Sequence, residues 1–168
     1  PFNLSAWAEA AQQHAAKLGE SAVADLLAVM VHPPTADTEM AEWVWIQQVQ
    51  VAAALMIAQM NKEWERPVEK KGWFGKSSEP APRKKALHAL LFGAMDWTVN
   101  AGIIALTHVA SAEPEHEHEI AKWFADRFFQ MPKGGYVCYS HVLGTCGLRL
   151  PSLSRVVRQK FVEMASGD

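Results

Sequence analysis

The residues best suited to chemistry in this 168-residue chain lie together at Glu115-His116-Glu117-His118-Glu119. Imidazoles and carboxylates are natural ligands of zinc, nickel and copper. On a helix, however, side chains two positions apart point about 200° from each other, so His116 and His118 do not share an ion. A metalloprotease pair needs histidines four apart, and position 120 is Ile. Pro114 and the alternating Glu residues instead fit the acidic start of a helix, where carboxylates complement the positive end of the dipole. The cluster reads as a solvated helix start, and no metal site is expected.

A second grouping is Cys138, His141 and Cys146. At helical spacing the two sulfurs are separated by about 12 Å of rise, too far for a disulfide. Cys138 and His141 share a face, but two ligands do not complete a site, and small buried thiols beside a histidine are the simpler reading. His14, His32, His88 and His108 stand singly on otherwise apolar segments and read as packing residues. Asp96-Trp97 sets an acid beside a stacking aromatic, yet a helix N-cap explains Asp96 without any chemistry. No Gly-rich phosphate loop, nucleophile elbow or paired-carboxylate spacing occurs. No cofactor is expected and the balance leans away from an enzyme. The alternative is an enzyme with a groove site around Asp96, Trp97, Tyr139 and His141.

The elements that must position these residues are helices. No period-2 run of β-branched residues is flanked by a hairpin turn signal. Helical spacing predicts a first helix over 5–18 capped by Ser5, with Trp7, Ala10, Ala11, His14 and Leu18 as its apolar stripe. A second opens at Ser21 and is stopped by Pro33 and Pro34. A third, over 40–64 and capped by Asp37 or Thr38, is apolar on more than one face and belongs between neighbours. Further helices are predicted over 83–95, 97–112, 114–130, 136–148 and 153–164. Residues 65–82 read as a flexible basic loop rich in Pro, Gly and Ser, and 65–85 carries seven Lys or Arg against three Glu.

Helix starts near Arg83, Glu115 and Ser152 are spaced by 32 and 37 residues. Such a period of helix–turn–helix units indicates an α-solenoid, with an irregular helical bundle as the alternative. The segment Leu87-His-Ala-Leu-Leu-Phe-Gly-Ala-Met-Asp96-Trp-Thr-Val-Asn-Ala-Gly-Ile-Ile-Ala-Leu106 resembles one unit of the HEAT-like repeat proteins, and the resemblance is best over 83–112. It looks like a first helix, an Asp turn and a second helix ending in Ala105-Leu106. Val49-Gln-Val-Ala-Ala-Ala-Leu55 echoes the Ala-rich second helix of another unit, while Asn100 stands where the family usually has Arg. The resemblance implies an all-α single domain over 1–168 of about eight helices in stacked antiparallel pairs. It also implies a concave surface of second helices that binds partners.

Charge separates the possible partners. The predicted inner helices, 40–60, 97–112 and 136–148, contain no Lys or Arg. A groove holding nucleic acid needs cations to neutralise phosphate, and the net charge of −2 points the same way. A protein or peptide is the expected partner, and nucleic acid is not. The contact residues expected on the groove are Gln47, Gln50, Asn100, Thr107, Tyr136, Tyr139 and His141, with Trp73 and Phe74 as an aromatic pair in the basic loop. Nucleic-acid binding through that loop and the last helix is the third reading. Two Cys do not make a disulfide framework, so a reducing, cytoplasmic setting is expected. No apolar run approaches the ~20 residues of a membrane span. The Pro-Phe-Asn start suggests a domain excised from a longer chain.

Overall fold

The computed structural model describes residues 3–36, 40–68, 77–94, 97–130 and 149–166. The chain is mostly helical, with one two-stranded sheet among the described residues. The chain divides into two compact units, residues 1–89 and 90–168, where a single domain over 1–168 was the expectation.

In the N-terminal unit, α1 (Leu4–Ala15) and α2 (Ala22–Val31) both pack against α3 (Glu42–Gln59). After Glu42, α3 carries no charged side chain, and Ala53, Ala54, Leu55, Ile57 and Ala58 are all buried. A helix apolar on several faces needs neighbours on several sides, which α1 and α2 supply. Gln50 is buried here, and its Nε2 donates to Met30 O at 3.0 Å, satisfying a carbonyl left over at the end of α2. Trp45 Nε1 likewise donates to Pro34 O at 2.7 Å, fixing the chain where the two prolines end the helix.

Several boundaries differ from the sequence expectation. The cap of α1 is Asn3, whose Oδ1 accepts from Ala6 N at 3.2 Å, and not Ser5. The helix stops at Ala15, because Lys17 N and Leu18 N turn back to carbonyls three residues earlier and tighten the end. The expected caps Asp37 and Thr38 of α3 lie outside the described residues. At its other end α3 stops at Gln59 and not at Trp64. There Asn61 Oδ1 accepts from Glu63 N at 3.4 Å, a local side-chain bond that competes with helix continuation. Arg83 Nη1 donates to Ala58 O at 2.9 Å and closes the helix end.

The loop expected over 65–82 begins and ends as strand. β1 (Glu65–Val68) pairs antiparallel with β2 (Ser77–Pro80), Glu65 opposite Pro80 and Val68 opposite Ser77. Two prolines are tolerated because each strand of a two-stranded ribbon has one free edge. α4 (Pro82–Leu91) follows with Pro at its first position, where a missing N–H costs nothing. It ends four residues earlier than expected, just before Gly93.

In the C-terminal unit, α5 (Trp97–Ala112) is followed by a single 3₁₀ turn (Pro114–His116), α6 (Glu117–Gln130) and α7 (Pro151–Ser166). α6 packs against both α5 and α7. Ile120, Phe124 and Phe128 recur every four residues along α6 and are buried. Arg127 is buried as well; its Nη2 donates to Gly93 O at 2.9 Å, setting a cation near the carbonyl-rich end of α6. Gly102 of α5 lies so close to Leu90 that a Cβ would sit 2.9 Å from the Leu90 Cβ. Asp96 and the helix expected over 136–148 lie outside the described residues.

Candidate functional site

An apolar groove lies between α1 and α3 of the N-terminal unit, with a volume of about 440 Å³. It is lined by Ala6, Trp7, Ala10, Ala11 and His14 from α1 and by Ala52 and Met56 from α3. The α1 residues follow at three- and four-residue spacing, so one helical face forms a whole wall. Alanine makes the groove: side chains cut off at Cβ leave room that Leu or Phe would fill. The lining holds no Lys, Arg, Asp or Glu, and His14 is its one titratable group. A wall of this composition binds apolar surface by the hydrophobic effect and offers no pair of groups for acid–base chemistry.

The residues expected to contact a partner are placed unevenly. Gln47 is half-buried on α3. Gln50 and Thr107 are not surface contacts. Both are buried: Gln50 Nε2 donates to Met30 O while its Oε1 is enclosed without a hydrogen-bond partner, and Thr107 Oγ1 donates to Ile103 O at 2.8 Å. Asn100 is half-buried, and its Oδ1 is enclosed without a hydrogen-bond partner. Gln47 and Gln50 belong to the N-terminal unit, Asn100 and Thr107 to the C-terminal one. Tyr136, Tyr139, His141, Trp73, Phe74, Cys138 and Cys146 lie outside the described residues. The groove residues were missed as a site because Trp7, Ala10, Ala11 and His14 carry the same spacing as a core stripe.

Of the cations described in 65–85, Arg83 and Lys84 are buried, Arg66 is half-buried and Lys85 is exposed. Arg66 pairs with Glu20, and its Nε donates to Glu63 Oε2 at 2.7 Å. Lys84 pairs with Glu65, and both Arg83 and Lys84 lie over the Trp64 ring, 5.1 and 5.5 Å from its centre. The bond from Arg66, aided by Asn61 Nδ2 at 3.0 Å, holds the Glu20 carboxyl below the usual carboxylate range. The same bond pushes the Arg66 guanidinium up. A carboxylate with a depressed folded pKa stabilises above its unfolded pKa, and that contribution is lost as pH falls through the folded value. Acid melts of the wild type are therefore expected to weaken more steeply below the ordinary carboxylate range than those of Glu20→Gln. Parallel acid limbs for the two proteins would contradict the pairing.

In the C-terminal unit the acidic turn brings Glu113, Glu115 and His116 together, one ligand atom from each lying within 4.8 Å of the others. Glu113 is buried, His116 half-buried and Glu115 exposed. The combination differs from the His116 and His118 pair weighed in sequence; the turn is 3₁₀ at 114–116 and becomes α-helical at Glu117. No described helix is long and apolar enough to cross a membrane. Compared with protein-family models, with curated proteins and with solved structures, the chain matches none.

Proposed function

We propose that the chain is a non-catalytic protein-binding module of the HEAT-like, stacked-helix kind, which takes an apolar helical segment of a partner protein in the groove between α1 and α3. The observation that carries this reading is the lining: seven residues without a formal charge at neutral pH, four of them alanines. An amphipathic helix lays anchors at i, i+3 or i+4, and i+7 into such a groove, and an alanine floor lets its backbone come close. Trp43 and Val31 of the same unit are 61% and 66% exposed, further apolar surface of the kind that interfaces use. The stacked-helix reading is supported within each unit by a helix layered between two others, α3 in one and α6 in the other. A cytoplasmic setting rests on the low cysteine content alone.

The nucleic-acid reading loses ground because Arg66, Arg83 and Lys84 are engaged with carboxylates, a carbonyl or the Trp64 ring. The test is a displayed library of 16-residue peptides selected on the wild-type chain and counted against Ala10→Arg, which puts a long charged side chain into the groove. Enriched peptides are expected to carry apolar residues at helical spacing and to lose on the order of ten-fold or more in affinity for the variant, about 1.4 kcal/mol or more. Equal binding to both proteins, or no enrichment, would sink the groove as the binding surface.

A further inference from the structure

We propose that the charge state of His14 gates the groove between α1 and α3, which takes an apolar helix while the imidazole is neutral and releases it as the imidazole is protonated. The gate rests on the reading of that groove as the binding surface. The other six lining residues carry no titratable side chain, so His14 alone can make the lining respond to pH. Histidine is the side chain whose charge ordinarily changes between about pH 5 and 8. A partner helix that covers the lining withdraws His14 from water. A neutral imidazole is covered at little cost, whereas an imidazolium loses hydration that an apolar face does not replace.

The surroundings set the sign. His14 is exposed in the last turn of α1, where the negative end of the helix dipole favours a cation, so the open groove accommodates the imidazolium. The covered groove does not. α3, against which α1 packs, has no charged side chain after Glu42 and offers no counter-charge. On α1 itself the charged residues are Glu9 and Lys17, both exposed. Lys17 is three positions from His14 and lies beside it, and its repulsion of the imidazolium grows when a partner excludes water. Glu9 is five positions back and falls on another face. In the segments that follow the two helices, Glu20 and Glu63 both pair with Arg66, and Lys62 is a further cation. The proton therefore favours the empty groove and the helix favours the unprotonated one, so by linkage each opposes the other.

The probe is a peptide selected on the wild-type chain, with blocked ends and its ionisable residues replaced by Gln, so that only the protein titrates. Its affinity for the full chain is measured by fluorescence anisotropy at about pH 7.5 and about pH 5.5. The wild-type dissociation constant should rise on the order of five-fold or more at the lower pH, because apparent affinity follows the fraction of chains in the competent state. His14→Gln should bind equally at both pH values, and His14→Lys weakly at both. His14 is exposed, so neither replacement removes a core contact. A wild-type affinity that ignores pH would overturn the gate, as would an acid loss in His14→Gln as large as that of wild type. Ala10→Arg separates this from the groove reading. A peptide that it releases at the higher pH sits in the groove whatever His14 does, while one that it retains overturns groove and gate together.

Discussion

Phe124→Ala is expected to destabilise the C-terminal unit by about 3–5 kcal/mol, the range for emptying a buried aromatic site. Phe124 is fully buried at the middle of the α6 stripe, flanked one turn away by Ile120 and Phe128. α6 is held between α5 and α7, so the vacated space is enclosed by helices on two sides. Helices cannot close on a cavity without giving up their other contacts, which places the expected loss toward the upper part of the range. Denaturant melts followed by circular dichroism should show a lower midpoint at unchanged slope. A shift worth less than about 1 kcal/mol would mean that Phe124 is not a core residue.

Gly102→Leu carries the second large effect. A Cβ at 102 would lie 2.9 Å from the Leu90 Cβ, 3.2 Å from Leu91 N and 3.3 Å from the Leu90 carbonyl carbon. Two of these three atoms are backbone, so no rotamer change relieves the crowding. In an exposed helix Gly→Ala would gain about 1 kcal/mol from propensity. Here overpacking of about 1–3 kcal/mol opposes that gain, so Gly102→Ala should be destabilising or near neutral. Leucine adds three more carbons at the same place, and Gly102→Leu is expected to cost about 3 kcal/mol or more. A Gly102→Ala protein melting clearly above wild type would show that α5 does not approach Leu90 this closely.

How much was legible in sequence depended on what decides each element. α5 matches its expected bounds of 97–112 because an uninterrupted apolar segment of good spacing leaves the chain little alternative. α3 was recognised as a helix needing neighbours on several sides, and α1 and α2 fill that role. Its C-terminus was not legible, because the stop comes from Asn61 and from Arg83, which lies 25 residues from the carbonyl it caps. The ribbon was missed for a similar reason. Neither Glu-Arg-Pro-Val nor Ser-Ser-Glu-Pro has strand character by itself, and the pairing between them supplies it.

The site was less legible than the fold. Polar residues on an apolar helix were read as contacts for a partner, but Gln50 and Thr107 spend their hydrogen bonds on main-chain carbonyls. Thr107 bonds within its own helix, whereas Gln50 reaches a carbonyl 20 residues away on α2, and spacing alone reveals neither. The α1 stripe was visible as apolar. Whether alanines at that spacing close against a neighbour or stand open depends on the distance between α1 and α3, which only the fold sets. In the acidic turn the sequence weighed His116 with His118, whereas the fold sets His116 beside Glu113, three positions back, and Glu115.

The most direct measurement is an alanine- and methionine-methyl NMR spectrum of the full chain titrated with a peptide recovered from the selection. If a partner helix lies in the groove, the methyls of Ala6, Ala10, Ala11, Ala52 and Met56 should shift together and saturate at one peptide per chain, while the buried Ala54 and Ala105 stay in place. Saturating binding that leaves those five methyls unmoved would contradict the assignment.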